Sequence, residues 1–535
     1  MRNGTQKGND GGRTNAAAMG GWWRGLGLIC LALAAAMTSP AQDDQSSASK
    51  VKFKVLVNID TPPFGANNGL AQGTDGDLYA TTGTGGASKS CFGGLGCGTV
   101  YKMTPSGALT TIYNFCSQPN CADGWLSQSA LALGKDGNFY GVTAAGGPSA
   151  SSGPCAPLGC GTIFKFIPSG ALTTLYNMCS QPNCTDSGTA FSGVVLGPDG
   201  NFYGTTVAGG AYSNSMCVSY SISVGCGTVY RITPQGAFTT LYNFCSQTNC
   251  SDGASPYPAL TVGTDGNLYG IAAAGGAKGD GTIFKVTLGG TLTTLHSFIG
   301  TDGGCFGIWC QAPLVQDPNG NLYGVTGAGG TGGGFGGVFF RITPSGAYTA
   351  LYNFCSLANC TDGDLPSALV YADDRNLYGA ALGGGNTTTI CGSAGCGTLF
   401  KITPEGVLTT LHTFDGTADG WVEQNLSQAT NGIFYGADSS GGTYNDGTIY
   451  ALSVGLAPFV ETLPTLGEVG APIKILGSNL TGASAVSFNG IAAKFKVVSK
   501  SLIEALVPTG ATTGFVTVIT PTRTLKSNVR FRVLP

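Results

Sequence analysis

Charged residues are scarce in this sequence. Only 10% of the 535 residues are charged, and the formal net charge is −3. Taken over the whole chain, this composition leaves no basic field of the kind that binds nucleic acid or anionic lipid. Histidine is almost absent too, since the chain contains only His296 and His412 and has no G-x-S-x-G motif. Both histidines occupy a repeat position that holds tyrosine elsewhere, so we interpret them as structural and not as catalytic bases.

Long hydrophobic runs are also missing. The clearest apolar run, from Leu26 to Met37, suits the core of a signal peptide but is too short to span a bilayer. Ser39-Pro40-Ala41 supplies the small residues of a cleavage site. We therefore predict a signal peptide over residues 1–41, with translation starting at Met1 or Met19. The mature chain should have no membrane span and be secreted or held at the cell surface or in the periplasm.

Glycine is the abundant residue, with 89 copies at fixed offsets. The hexapeptide DGNFYG and its close variants recur seven times, and so does a glycine-led strand signature usually followed by "K/R-I-T-P-x-G". The hexapeptides start at Asp75, Asp136, Asp199, Asp265, Asn319, Asp374 and Asn431. The second signature starts at Gly98, Gly161, Gly227, Gly281, Gly337, Gly397 and Gly447. Repeats of this length with four short strand-like pieces each favour a β-propeller.

We predict an all-β chain in which residues 51–455 form a seven-bladed β-propeller. The last repeat lacks its fourth strand, and Phe53 to Ile59 can supply one, so the N-terminal strand should pair with Gly447 to Leu452 and close the propeller. Eight blades and an open array are the alternatives. Two of the four connections in each repeat are constant and two vary, which predicts one uniform face and one variable face.

Eighteen cysteines remain after Cys30 of the signal peptide, and an exported chain should pair them as disulfides. They fall into nine local pairs, all in the variable connections. The pairs are Cys91/Cys97, Cys116/Cys121, Cys155/Cys160, Cys179/Cys184, Cys217/Cys226, Cys245/Cys250, Cys305/Cys310, Cys355/Cys360 and Cys391/Cys396. Zinc binding and pairing between neighbouring loops, such as Cys97 with Cys116, are the alternatives; each local pair would need two further ligands to hold zinc.

An aspartate precedes each predicted innermost strand. The set comprises Asp123, Asp186, Asp252, Asp302, Asp362 and Asp419, with Asp60 in the corresponding N-terminal place. A ring of such carboxylates near the axis could hold Ca²⁺. The alternative, which we favour, is that each aspartate only orders its own turn by accepting backbone hydrogen bonds. Apart from this possible Ca²⁺, the sequence predicts no cofactor.

Aromatic residues in the variable connections are candidate stacking platforms for sugar rings. They are Trp125, Trp309, Trp421, Tyr212 and Tyr257. The alternative is that these rings simply cover the core. The tyrosine within each hexapeptide, such as Tyr140, recurs inside a strand and should be a packing residue.

The repeat pattern ends near Pro458, and several short alternating strands follow over residues 458–535. This composition indicates a β-sandwich. The run "GAPIKILGSNL", then "VSFNG" and "ALVPTG", closely resembles the IPT/TIG family of immunoglobulin-like domains.

The preceding repeats resemble the bacterial choice-of-anchor tandem repeat GloVer proteins. The matching residues are Gly98 to Phe115 and Asp136 to Thr143, within a resemblance that covers about residues 51–452. It implies an exported, surface or extracellular repeat protein, without established catalytic residues to transfer.

We therefore predict a non-enzymatic binding scaffold that presents disulfide-stapled loops on one face, with polysaccharide or a surface protein as partner and no nucleic acid. Variable loops on a rigid scaffold are a usual place for binding. A purely structural envelope or matrix protein is one alternative, and a metal-dependent propeller lyase or lactonase is another.

Overall fold

The computed structural model describes residues 51–59, 69–148, 155–217, 225–305, 310–332, 335–387, 391–421, 425–438 and 440–534. The predicted signal peptide, Asp60 and Trp309 lie outside these ranges. The described residues form an all-β protein. None of their helices is long and apolar enough to cross a lipid bilayer.

The described residues between 52 and 453 form seven successive antiparallel sheets, each built along a path of four strands. Strand β1 covers Lys52–Asn58. Sheet 1 contains β2 (Ala71–Gln72), β3 (Leu78–Thr81), β4 (Thr99–Met103) and β5 (Leu109–Asn114). Sheet 2 contains β6 (Ala132–Leu133), β7 (Phe139–Thr143), β8 (Thr162–Phe166) and β9 (Leu172–Asn177). Sheet 3 contains β10 (Val195–Leu196), β11 (Phe202–Thr206), β12 (Thr228–Ile232) and β13 (Phe238–Asn243).

The later sheets repeat this order, with the first strand of sheet 4 split in two. Sheet 4 contains β14 (Ala254–Pro256), β15 (Thr261–Val262), β16 (Leu268–Ala274), β17 (Thr282–Val286) and β18 (Leu292–Ser297). Sheet 5 contains β19 (Val315–Gln316), β20 (Leu322–Thr326), β21 (Val338–Ile342) and β22 (Tyr348–Asn353). Sheet 6 contains β23 (Asp364–Tyr371), β24 (Leu377–Gly383), β25 (Thr398–Ile402) and β26 (Leu408–Thr413). Sheet 7 contains β27 (Leu426–Gln428), β28 (Phe434–Ala437), β29 (Thr448–Ser453) and the N-terminal β1.

The N-terminal strand completes the last sheet, as the repeat count predicts. Strand β1 runs antiparallel to β29, with Phe53 opposite Leu452 and Asn58 opposite Thr448. One further backbone bond, from Ile59 N–H to the carbonyl of Gly447, extends the pairing at 3.0 Å. The pairing predicted from the missing fourth strand is therefore confirmed.

Each sheet packs against the next, and the seventh packs against the first. The cluster between sheets 7 and 1 joins Tyr435 and Ile449 to Leu78 and Tyr101. Polar contacts cross the same boundary: the Gln72 amide donates to Thr430 Oγ1 at 2.9 Å and accepts from the Thr430 N–H at 2.8 Å. Six similar clusters join the remaining neighbours. The apolar core therefore lies between the sheets.

The recurring hexapeptide forms a locked turn between the first and second strands of a sheet. In sheet 2, Asp136 accepts hydrogen bonds from the Asn138 N–H at 3.2 Å and from the Tyr140 hydroxyl at 2.9 Å. Lys165, on the next strand, approaches the same carboxylate at 2.7 Å. The Tyr140 ring is fully buried, so the predicted packing role holds while its hydroxyl ties the strand to the turn. Gly137, at a φ of 83°, completes the turn in a conformation that favours glycine.

This lock should make the protein sensitive to acid. Burial alone would raise the pKa of Asp136, but hydrogen bonds from Lys165, Asn138 and Tyr140 outweigh burial and lower the pKa to about 2. A lowered folded-state pKa contributes stability above the unfolded pKa near 4, and that stability is lost as the pH falls through 2. Because the side chain is 35% exposed, screening reduces the expected contribution to about 1 kcal/mol.

We therefore expect the Asp136→Asn variant to be less stable than the natural chain at pH 6. The difference in free energy of unfolding between the two chains should shrink by about 1 kcal/mol towards pH 2. Urea unfolding across this pH range measures it. A difference in free energy of unfolding that stays constant between pH 6 and pH 2 would contradict the lowered pKa of Asp136.

The C-terminal residues form three further sheets around one core. The first contains β30 (Glu461–Leu463), β32 (Pro472–Leu476), β36 (Leu502–Leu506) and β35 (Phe495–Ser499); the second contains β34 (Ile491–Ala492), β33 (Ala485–Phe488), β37 (Val516–Ile519) and β38 (Thr524–Lys526). Strands β31 (Leu466–Glu468) and β39 (Arg532–Leu534) form a parallel pair. One core cluster, with Ile475, Phe488, Ile503 and Val518 among its members, joins the two four-stranded sheets.

These C-terminal sheets contact the hexapeptide turns directly. Ser501 Oγ donates to the Thr74 carbonyl at 2.9 Å, and Arg532 donates to the Thr264 carbonyl at 3.1 Å. Ser478 and Thr430 share a hydroxyl–hydroxyl bond of 3.1 Å. The end of the repeat region that carries the uniform turns is therefore the end that the C-terminal sheets contact.

Candidate functional site

All nine predicted local disulfides are present. They are Cys91–Cys97, Cys116–Cys121, Cys155–Cys160, Cys179–Cys184, Cys217–Cys226, Cys245–Cys250, Cys305–Cys310, Cys355–Cys360 and Cys391–Cys396. Four lie in a loop between the second and third strands of a sheet, and five lie in a loop after a fourth strand or its equivalent. We call these the stapled loops. Nine disulfides indicate an oxidising, extracytoplasmic location.

The two kinds of stapled loop meet at the same end of the sheets, because antiparallel strands bring both connections to one edge. The Leu126 N–H donates to the Cys97 carbonyl at 3.2 Å, and the Ser255 N–H donates to the Cys226 carbonyl at 2.7 Å. The first bond joins a loop inside sheet 1 to the connection that leads into sheet 2, and the second joins a loop inside sheet 3 to the first strand of sheet 4. The stapled loops therefore support one another.

The predicted aspartates order these loops individually. Asp123 is fully buried and accepts hydrogen bonds from the Tyr113 hydroxyl at 2.8 Å, the Ser117 N–H at 3.0 Å and the Gln118 N–H at 3.2 Å. Burial raises the pKa of Tyr113 to about 12, and the neighbouring Asp123 acts in the same direction. The phenol therefore remains a neutral donor. The carboxylate joins the fourth strand to the stapled loop that follows it.

The same arrangement recurs in the other repeats. Asp186, Asp252 and Asp362 accept bonds from a tyrosine hydroxyl and from loop N–H groups in the same way. Where the tyrosine is replaced by histidine, His296 Nε2 contacts Asp302 at 2.9 Å and His412 Nε2 contacts Asp419 at 2.8 Å. The two histidines thus perform the structural role of the tyrosine.

The structure does not bring the six aspartates together. Within the described ranges, the groups of three or more close metal-ligating atoms contain none of these six carboxylates. Each carboxylate is already engaged by donors of its own loop, up to ten residues earlier in the chain. The geometry is that of the turn-ordering alternative, with longer-range partners than the sequence suggested.

The predicted aromatic residues lie in different environments. Trp125 is only 6% exposed and packs in the core between sheets 1 and 2, so it offers no face to a ligand. Trp421 is half-buried, and its indole N–H donates to the Leu382 carbonyl at 3.3 Å. Tyr212 is 46% exposed on a stapled loop. Tyr257 lines a pocket.

That pocket, hereafter the entry pocket, lies where the first strands of several sheets begin. It has a volume of about 160 Å³. Gln128, Phe191, Tyr257, Gln311 and Asn425 bring it side chains from five separate connections. Gln128, Phe191 and Tyr257 are each the seventh residue after the second cysteine of a disulfide, and Gln311 directly follows Cys310. The disulfides therefore fix the chain that leads into the pocket.

The entry pocket is polar without being charged. Burial raises the pKa of the Tyr257 phenol to about 12, so it stays a neutral hydrogen-bonding group. The Phe191 and Tyr257 rings pack 5.7 Å apart. The Gln311 amide oxygen is buried and has no hydrogen-bond partner among the described protein atoms. A buried unsatisfied acceptor carries a desolvation cost of about 1–3 kcal/mol.

Sequence reasoning named Tyr257 but missed Gln128, Phe191 and Gln311. Glutamine and phenylalanine are unremarkable in a loop, and nothing local shows that these positions converge. The available signal was positional: aligning the repeats on the second cysteine places Gln128, Phe191 and Tyr257 in one column.

Comparisons with known proteins bear on family and fold. Residues 45–223 and 215–450 match the model of the Gloeobacter/Verrucomicrobia repeat. No curated protein matches the sequence significantly. Among solved structures, a fungal alcohol oxidase of the AA5 family in complex with copper is similar at 14% identity and a TM-score of 0.49, over 89% of this chain and 99% of that one. A putative gluconolactonase is similar at 13% identity and a TM-score of 0.34, over 62% and 88%. A gluconolactonase from Xanthomonas campestris is similar at 12% identity and a TM-score of 0.35, over 63% and 89%.

Proposed function

The chain belongs to the Gloeobacter/Verrucomicrobia repeat family, and we propose that it is an exported binding protein whose stapled loops frame a pocket for one unit of a neutral polysaccharide. In this proposal the seven sheets are the blades of a β-propeller. Residues 458–535 form an IPT/TIG-like domain. The pairing of β1 with β29 and the packing of sheet 7 on sheet 1 support the closed propeller.

The uncharged, hydrogen-bonding lining of the entry pocket is the observation that carries the proposal. Gln128, Gln311, Asn425 and Tyr257 line a space of about 160 Å³. That space is below the roughly 300–1,000 Å³ of a pocket for a drug-sized ligand, so it suits one small polar unit. Side-chain amides that donate and accept hydrogen bonds beside aromatic rings match a sugar ring, with its hydroxyl groups and C–H faces.

The same lining favours binding over catalysis. Among the described residues of the entry pocket, Tyr257 is the one ionisable side chain, and its raised pKa keeps it protonated. A lactonase or lyase would draw on a metal ion or an acid–base pair. The six loop aspartates are engaged by donors of their own loops. A purely structural protein would have no use for five converging polar and aromatic side chains at one opening.

A glycan array probed with the mature chain, with and without Ca²⁺, tests the proposal. We expect binding to a neutral glycan that does not depend on Ca²⁺. Tyr257→Ala and Gln311→Ala should each weaken it at least about 10-fold, which corresponds to about 1.4 kcal/mol. Tyr212→Ala is the matched control, since this exposed tyrosine lies outside the entry pocket, and it should leave the affinity unchanged.

Two results would count against this function. Binding that Tyr212→Ala abolishes and Tyr257→Ala does not would move the site to the outer loops. An array without signal in either condition would favour the structural alternative.

A further inference from the structure

Positive charge is concentrated at the C-terminus of this weakly acidic chain. Residues 458–534 contain eight lysines and arginines against three glutamates, a net charge of +5. Because the whole chain carries −3, all remaining residues together carry −8. The small net charge of the whole chain is therefore the sum of a basic C-terminal segment and an acidic remainder.

Four lysines line one groove at the junction of these two parts. The groove has a volume of about 540 Å³. Lys474, Lys494 and Lys496 come from the C-terminal sheets, and Lys135 comes from the hexapeptide turn of sheet 2. Lys474 also donates a hydrogen bond to the backbone carbonyl of Lys135, which joins the two sides. We call this the lysine groove.

Among the described residues, the ammonium groups of the lysine groove are not paired with carboxylates. Within the described part of the chain, none of the four lies within 4.0 Å of a carboxylate. Glu504 is the single acidic residue of the lining, and the strand register places it opposite both Lys474 and Lys496. Asp199, in the hexapeptide turn of sheet 3, also attracts Lys135. Four cations therefore face two anions, which still leaves a positive excess in a partly enclosed space.

The lysine groove is also partly apolar. Leu506, which is 44% exposed, lies in the lining together with Leu463 and Pro472. Phe495 alternates with Lys496 in β35 and packs against the C-terminal core instead. An acidic sugar chain fits both the positive charge and the apolar part of this lining. Its carboxylates pair with lysine, and its C–H faces pack on apolar side chains. Single-stranded nucleic acid would instead use a series of aromatic platforms for its bases, and Phe495 is the one aromatic residue among the described lining.

We infer that the lysine groove binds an acidic polysaccharide of the uronate class. This site is separate from the entry pocket and differs from it in ligand charge. Binding here should weaken as salt rises, because solvent-exposed ammonium groups contribute most of the attraction. The C-terminal sheets would then attach the protein to an anionic matrix and leave the stapled loops free.

Oligomers of polygalacturonate are the probe, titrated into the mature full-length chain by calorimetry. We expect binding that falls at least 10-fold between low and high salt. The double variant Lys494→Glu, Lys496→Glu should lose at least 10-fold in affinity, and Lys135→Glu, on the other side of the groove, should also weaken binding. The control, Lys89→Glu with Lys278→Glu, makes the same charge change at exposed lysines of other loops and should bind as the natural chain does. Melting temperatures verify that each variant folds.

Several outcomes would overturn the inference. They are no binding by the folded natural chain, equal loss in the control variant, equal binding of a neutral glucan, and tighter binding of single-stranded DNA or of phosphatidylglycerol vesicles. Tyr257→Ala distinguishes the two sites, since it should leave uronate binding unchanged while it weakens neutral glycan binding.

Discussion

A chain that begins at residue 60 should fail to form a stable monomer, whereas a chain that begins at residue 51 should fold as the full-length protein does. The longer truncation removes β1, which leaves β29 as an unpaired edge strand. It also removes Phe53, whose ring stacks on His412 at 3.7 Å and packs against Phe414 and Tyr450. Because sheets 6 and 7 share this cluster, we expect a loss of more than about 5 kcal/mol.

Urea unfolding followed by circular dichroism measures this loss, and size-exclusion chromatography detects association through the exposed edge. Phe53→Ala is the graded control; it keeps the strand but loses its main packing residue, so it should cost about 3–4 kcal/mol. Equal stability of the two truncated chains would show that β1 does not close the last sheet.

Gly161→Ala should be among the most damaging single substitutions in the chain. Gly161 opens the third strand of sheet 2 with a φ of 91°, and an added Cβ would lie 1.9 Å from the Thr143 carbonyl oxygen. That oxygen belongs to backbone in the middle of the sheet and cannot move aside cheaply. The equivalent glycines, such as Gly98 and Gly227, meet the carbonyl of their own second strand at 2.3 Å. We expect Gly161→Ala to cost at least about 4 kcal/mol.

Gly279→Ala separates steric overlap from backbone strain. Gly279 has a similar φ of 87°, but no heavy atom lies within 4 Å of the position that an added methyl group would take. This variant should cost only about 1 kcal/mol, the usual penalty for a left-handed alanine. Thermal unfolding of the two variants provides the comparison, and similar losses in both would contradict the close approach at Gly161.

Much of the fold follows from the sequence because its signals are local or repeated. The hexapeptide turn and the glycine before the third strand recur seven times, and seven copies distinguish a structural pattern from a chance match in a single repeat. The closure by Phe53 to Ile59 follows from the number of strands. The last repeat lacks its fourth strand, and the N-terminal segment supplies a strand that belongs to no other repeat. The nine disulfides were predictable because both cysteines of each pair lie within ten residues of one another.

The sites were harder to predict, because they depend on which side chains meet across the fold. Nothing near Trp125 in the sequence distinguishes a buried tryptophan from an exposed one. Gln128 and Gln311 are far apart in the chain and converge only when the sheets assemble. The lysine groove was hidden because net charge was taken over the whole chain, whereas Lys135 and Lys474 meet through tertiary contact.

The most direct test of the proposed binding function is hydroxyl-radical footprinting of the mature chain with the strongest neutral glycan from the array. It reports which side chains the ligand covers. We expect bound glycan to protect Phe191 and Tyr257 of the entry pocket, while labelling of the exposed Tyr212 stays unchanged. Protection of Tyr212 with unchanged labelling of Phe191 and Tyr257 would contradict it.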